Sequence, residues 1–379
     1  MSSPNIVSPD DQKVTFVELF FDLVFVFSVT QVVRLLHDGI TPATVGQAVL
    51  VFWLVWWAWT QFTWALNAAD TTHHSVGLAT LAATGIAFFM AIAVPDAFHG
   101  RAGWFAVPYV LIRGVGLTLY GRVAAAAAPE QLAAVRTFCL FSLGGIGAVL
   151  TGGFIGGAGQ YWLWGFAILL DVIAAGIAGR HAGWDLHPEH FAERYGLFVI
   201  IALGESLIVA AGGVTGAART SAGLLVAVLA VAVTCALWWT YFARVKPLLD
   251  HALERARHAD RSQMGRDVFS LLHFPMLCGV IAYAAAIEAA VAHPEVPLVL
   301  GVRLALGSGL ALFVGGMAVA LWRATRRVLR MRLVLCAALA VLLVVWGGAQ
   351  PALSMAVAFA VVTAIGIREQ RVLSTSAIP

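Results

Sequence analysis

From Phe16 to Ile367 the chain runs as a succession of apolar stretches. Each is about the 20 residues that a helix needs to cross the hydrocarbon core of a bilayer, and each is nearly free of charge. In lipid every backbone N–H and C=O has to be paired within its own segment, so continuous runs of this length point to an all-α polytopic bundle. Composition agrees: 61% of the 379 residues are hydrophobic and 11% charged, where a soluble domain carries roughly a quarter charged residues. Mean hydropathy of +0.88 excludes a soluble globular or disordered chain. A net charge of +3 without a dense basic stripe excludes nucleic acid as a partner. Cys139, Cys235, Cys278 and Cys336 stand singly within apolar runs and define neither a disulfide nor a zinc motif. The polar start MSSPNIVSPDDQK has no basic segment leading into a short apolar one, so no cleavable signal peptide is expected.

Breakers combined with charge divide the chain into about twelve predicted spans: 15–36, 46–66, 76–95, 104–123, 137–155, 159–179, 191–211, 222–243, 268–291, 298–321, 332–348 and 351–367. Only Gly347-Gly348-Ala349-Gln350-Pro351 separates the last two, which read either as two crossings or as a re-entrant hairpin. The predicted organisation is a cytoplasmic segment 1–14, six helices over 15–179, six more over 180–367 with a basic cytoplasmic loop at 244–267, and a cytoplasmic tail 368–379. Cytoplasmic loops retain Lys and Arg. With the N-terminus inside, only Arg34, Arg101, Arg219 and Arg303 fall outside and Arg113 falls within a span, leaving 18 of the 23 basic residues in inner segments. Both termini are therefore expected in the cytoplasm.

The chain also echoes itself. FVELFFDLVFVFSVTQ at 16–31 aligns with FAERYGLFVIIALGES at 191–206, pairing Phe16 with Phe191 and Glu18 with Glu193. Trp56-Trp57 corresponds to Trp238-Trp239, and Asp70 to Asp250. Six helices per repeat would give parallel halves related by an axis along the membrane normal, as in one class of transporters. A chance match of two aromatic, apolar helices is the alternative.

VELFFDLVFVFSVTQ near the N-terminus and HFAERYGLFVIIALGESLI at 190–208 resemble segments of the bacterial low temperature requirement protein A family, known as LtrA. RDVFSLLHFPMLCGVIAY at 266–283 and WAWTQFTWALNAAD at 57–70 resemble it too, so the likeness spans the chain. It implies a multi-pass bacterial membrane protein and leaves the chemistry to be argued from residues.

A charge at the bilayer centre costs roughly 2.5–3.5 kcal/mol on insertion scales, so intramembrane ionisable groups mark interior, wet or functional places. Glu18 and Asp22 lie four residues apart, which places both carboxylates on one face of the first span. Glu193 and Arg194 open the seventh span, and Arg194 is the natural partner of a carboxylate. A structural bridge from Glu18 or Asp22 to Arg194 is the plain reading beside a functional one. Glu205 lies about 18 Å further along that helix, followed by Ser206. Glu18, Asp22, Glu193 and Glu205 are thus candidates for proton or cation exchange, or for acid/base catalysis. Asn67, Asp70, Arg113, Asp171, Arg194, Ser206 and His273 are candidates for a polar vestibule. Each also has a structural reading: Asp70 as a cap of the third helix, Arg113 with Asp171 as a stabilising pair, His273 as a packing residue. Trp56 and Trp57, expected near midplane, suggest a ring-lined cavity or ordinary packing.

No four-ligand metal motif emerges. His190 and Glu193, at i and i+3, are the weak metal candidates, and no cofactor is expected because no P-loop, GxSxG or dinucleotide signature appears in a supporting context. The expected function is a transporter or permease for a small solute, coupled to protons or cations through these carboxylates. The alternatives are an intramembrane enzyme acting on a lipid-like substrate and a non-catalytic factor in cold or stress adaptation. The expected partners are the lipid bilayer, a small or lipid-like substrate and a second copy of the chain.

Overall fold

A bilayer offers the backbone no water, and these sequences respond with helices joined by short breaks. The computed structural model describes residues 6–9, 12–37, 39–127, 129–178, 186–215 and 220–375. Helix α1 spans Phe16–Arg34, α2 Pro42–Ala68, α3 His74–Ile92, α4 Ala102–Ala126, α5 Pro129–Ile155, α6 Gly157–Ala178 and α7 Pro188–Thr215. Helix α8 (Ser221–Thr240) continues through a π turn, Tyr241–Val245, into α9 (Lys246–Arg255). Helix α10 (His258–Met264) passes through a π segment, Gly265–Leu271, before α11 (His273–Ala292). Helix α12 (Leu300–Leu310) leads through Ala311–Gly315 into α13 (Gly316–Thr325), and α14 (Arg330–Val345) and α15 (Pro351–Thr375) complete the chain. Among the described residues the extended structure is one isolated bridge, Val7 with Ala69.

Eleven of these helical stretches are long and apolar enough to cross a membrane. Helix α14, covering most of the expected 332–348 span, has 16 residues, about 24 Å at 1.5 Å per residue and shorter than a hydrocarbon core of roughly 30 Å. The stretch expected as a loop at 244–267 is instead largely helical. Its Leu, Ala, Glu and Arg residues are good helix formers, Pro247 follows directly on the π turn, a break in the regular ladder of the kind that goes with proline in a continuous helix, and Lys246 Nζ lies 2.5 Å from Asp250 Oδ2 one turn on.

The chain divides into two compact units: Met1–Leu35 with Val45–Tyr195 and Leu253–Ser270, and Leu36–Thr44 with Gly196–Ala252 and Leu271–Pro379. In the first, α3 packs against α1 and α4, α4 against α5, and α5 against α6. Helix α2 has 83% of its most apolar stretch buried, against 28% for α6, so α2 runs through protein while α6 turns most of its surface outward. Outward rings and chains such as Trp104, Leu140, Phe154 and Trp162 match lipid, not water.

In the second unit α8 packs on α15, α11 on α12 and α12 on α14. Gly279 and Gly309 allow a close approach of α11 and α12: a Cβ on either would stand 2.6 or 2.8 Å from the other's carbonyl oxygen, as small residues permit between membrane helices. Helices α14 and α15 are tied by Arg332, whose Nε–H donates to Glu369 Oε1 at 2.7 Å and whose Nη2 pairs with Oε2. Trp238 and Trp239, the sequence counterparts of the buried Trp56 and Trp57, are exposed.

Candidate functional site

The first turn of α1 begins the site. Thr15 donates both its N–H (3.0 Å) and its hydroxyl (2.9 Å) to Glu18 Oε2, the reciprocal arm of a capping box that meets an otherwise orphaned N-terminal donor. One turn on, Asp22 lies on the same face, and both carboxylates are completely buried. Helix α7 brings His190 and Arg194, themselves one turn apart, to meet them. Arg194 Nη2 pairs with Asp22 Oδ1, its Nε–H reaches Oδ2 at 3.4 Å, and Trp59 of α2 donates its indole N–H to Oδ1 at 2.7 Å. The guanidinium also lies 5.6 Å from the centre of the Trp59 ring, a cation–π contact between two fully buried groups.

Glu18 is held differently. Its Oε1 lies 3.0 Å from His190 Nε2 and 3.4 Å from Arg194 Nη1, yet none of these three buried atoms has an in-line hydrogen bond. Asn67, at the end of α2, fixes the imidazole from the other side. Its Oδ1 accepts the His187 N–H at 3.0 Å, and its Nδ2 donates to the His187 carbonyl at 3.0 Å and lies 3.1 Å from His190 Nδ1. Beyond Arg194, the hydroxyls of Tyr195 and Ser270 meet at 2.7 Å. Ser270 also receives the indole N–H groups of Trp64 on its hydroxyl (3.0 Å) and of Trp56 on its carbonyl (2.8 Å). The π segment that holds Ser270 is a common way for a helix to re-aim such groups at functional places.

A second buried pair stands in the same unit. Arg113 of α4 and Asp171 of α6 meet through Nη2 and Oδ1 at 3.1 Å, Arg113 Nη1–H donates to Tyr109 at 2.7 Å, and the Gln61 carboxamide donates to the Arg113 carbonyl at 3.0 Å. Gly116 makes room for that arrangement, since a Cβ there would stand 2.6 Å from Gln61 Nε2 and 2.8 Å from the Phe62 ring.

Several expectations change. Glu193 is exposed and does not share the space of Glu18; the groups on that face are His190 and Arg194, at i and i+4, because the rotation of α7 about its axis turns Glu193 outward. The metal candidates His190 and Glu193 therefore do not converge, and among the described residues no three His, Cys, Asp or Glu side chains are placed to hold a metal ion. Asp70 is buried in a tight turn instead of opening a vestibule. Its Oδ1 accepts the N–H and hydroxyl of Thr72 as such Asx turns do, and the N-cap of α3 is His73. Glu205, Ser206 and His273 lie in the second unit, where Ser206 bonds the Leu203 carbonyl and Thr234, and His273 Nε2 lies 2.8 Å from the Tyr241 hydroxyl. Asn67, Trp59 and Tyr195 act together with the ionic groups, and sequence reasoning passed over Trp59, Ser270 and Tyr195 as site residues. The signal for Tyr195 was its place directly after Arg194.

Residues 13–367 match the family described as bacterial low temperature requirement A protein (LtrA). An uncharacterized protein of Rhizobium meliloti (strain 1021) is 29% identical over 318 residues, covering 81% of this chain and 76% of the relative. No solved structure matches. With the family match running across nearly all of its apolar helices, this multi-pass membrane protein belongs to the bacterial LtrA family.

Proposed function

We propose that the protein is a proton-coupled carrier of a small solute in the bacterial cytoplasmic membrane, with both termini in the cytoplasm and Glu18 as the proton-exchanging group. The reading rests on the unequal engagement of the two carboxylates. Asp22 is saturated, with Trp59 and Arg194 on Oδ1 and Arg194 again on Oδ2, so it serves as the fixed counter-anion of Arg194. Glu18 Oε1 touches His190 and Arg194 without an in-line bond. Two buried carboxylates face one guanidinium, and Asn67 keeps His190 Nδ1 as an acceptor and hence the ring neutral. The cluster is thus one positive charge short of balance, apart from the partial charge at the N-terminus of α1. A single proton on Glu18 closes the account, and its departure reopens it. Alternation between two charge states at a buried site is what a coupled carrier requires.

Sealed proteoliposomes holding an internal pH-sensitive dye test this when challenged with a panel of neutral, anionic and cationic small solutes. The wild type should move protons with at least one solute class. Glu18→Gln keeps the acceptor for Thr15 and should stay folded while losing the coupled movement. Full turnover of a substrate in detergent, with no gradient, would support an enzyme instead.

A further inference from the structure

From Gly316 to Pro379, in the second unit, the chain holds seven arginines against a single carboxylate, Glu369. That carboxylate is already committed. Arg332, buried in the first turn of α14, takes both of its oxygens and donates its Nη1–H to Met317 Sδ at 3.1 Å, so the pair is neutral and has nothing left to offer. Beside it a cavity of about 160 Å³ opens between the start of α14 and the end of α15, lined by this pair and by the exposed Arg330 and Arg368. Among the described residues no ion pair engages either of these two arginines. Two cations on one small cavity repel, and an anion between them removes that cost. A guanidinium keeps its charge and matches a phosphate through a planar fork of donors, and the space is comparable to the roughly 150 Å³ in which a benzene ring is known to sit within a protein, larger than a phosphate group needs. The uncapped first turn of α14 adds backbone N–H groups at the same end. The rest of the lining is apolar. Leu335 and Ile365 stand behind the arginines, and Val334, one turn along α14 from Arg330, is exposed. A free phosphate would leave that apolar part uncovered; an amphiphile covers both, as acidic lipid head groups do in basic pockets between membrane helices.

We infer that the cavity between α14 and α15 binds the phosphate of an anionic phospholipid through Arg330 and Arg368, with the glycerol and upper acyl chain against Leu335, Ile365 and Val334. The Arg332–Glu369 pair joins the two helices and shapes the site without holding the ligand. The inference is independent of the carrier reading, since it uses no residue of the Glu18 cluster.

Native mass spectrometry of the full chain, released from micelles containing added dioleoyl phosphatidylglycerol or dioleoyl phosphatidylcholine, counts the lipids retained. Phosphatidylglycerol should be retained saturably and at least tenfold more tightly than phosphatidylcholine, whose choline cancels the phosphate charge. Arg330→Gln with Arg368→Gln should weaken it at least fivefold. Arg326→Gln with Arg327→Gln removes the same two charges from outside the cavity lining and should leave it within twofold. All four arginines are exposed, so neither double variant removes a buried contact. Glycerol 3-phosphate in tenfold excess should not displace the lipid. Equal retention of the two lipids, no loss from Arg330→Gln with Arg368→Gln, or an equal loss from both double variants overturns the inference. Displacement by glycerol 3-phosphate would assign the cavity to a soluble phosphate and overturn the lipid.

Discussion

Asn67 sets the tautomer of His190. Because the Asn67 Oδ1 accepts the backbone N–H of His187, its amide nitrogen is the atom that faces His190 Nδ1 at 3.1 Å. Nδ1 is then an acceptor, and the ring proton sits on Nε2, 3.0 Å from Glu18 Oε1. One amide thus links the end of α2 to the start of α7 and orients the imidazole toward the carboxylate. Asn67→Leu would orphan the half-buried His187 N–H and carbonyl and free the ring. We expect a loss of about 2–4 kcal/mol in unfolding experiments in micelles, at roughly 1–3 kcal/mol for each unsatisfied group, and a mixture of His190 tautomers in its ¹⁵N spectrum. An unchanged melting curve with a single Nε2–H tautomer would contradict this.

The two carboxylates of α1 should separate under mutation. Asp22→Asn leaves Arg194 buried with a weakened partner and should cost up to about 3–5 kcal/mol, seen as loss of folded protein. Trp59→Phe removes one hydrogen bond to the same carboxylate and should cost about 1.5–3 kcal/mol. Since both variants act through Asp22 Oδ1, the double variant should cost clearly less than the sum. Additive losses would mean that Trp59 and Arg194 are not coupled through that oxygen.

The Arg113–Asp171 pair is expected to behave as a structural ion pair. Asp171→Leu alone strands a buried guanidinium and should cost about 3–5 kcal/mol, whereas Arg113→Met with Asp171→Leu should restore most of the stability, as apolar replacement of buried pairs does. Thermal unfolding of the two single variants and the double variant decides the matter; a double variant as unstable as the singles would show that the charges are needed together.

Gly116 is a steric prediction. A methyl group there meets the Gln61 amide and the Phe62 ring, both on the buried helix α2, so Gly116→Ala should cost about 1–3 kcal/mol despite alanine being the better helix former. A more stable Gly116→Ala variant would show that α2 and α4 can part without loss.

The proposed orientation is checked by thiol labelling. A cysteine replacing the exposed Val328, beside Arg326, Arg327 and Arg330, should react with an impermeant reagent only from the cytoplasmic side. Reaction from the outside in intact cells would reverse the topology.

Span positions were legible in the amino-acid sequence because apolar length is read directly against the thickness of a bilayer: α1 at Phe16–Arg34 and α15 at Pro351–Thr375 begin where charge or proline says they should. The spacing of Glu18 and Asp22 also placed them on one face, and Arg194 was recognisable as a partner because a buried guanidinium requires one. The side of each helix that faces protein was not legible. A membrane helix is apolar toward lipid and toward its neighbours alike, so the amphipathic signal that orients a soluble helix is missing. The sequence favours Glu193 for the site and offers His190 only as a weak metal ligand; only the packing of α7 against α1 and α2 turned His190 inward and Glu193 outward. Asn67, Trp59 and Ser270 became partners for the same reason. Asp22 and Arg194 stand 172 positions apart, and no local rule pairs groups at that separation; the tertiary arrangement decided it, because a carboxylate and a guanidinium removed from water are stable there only in each other's company.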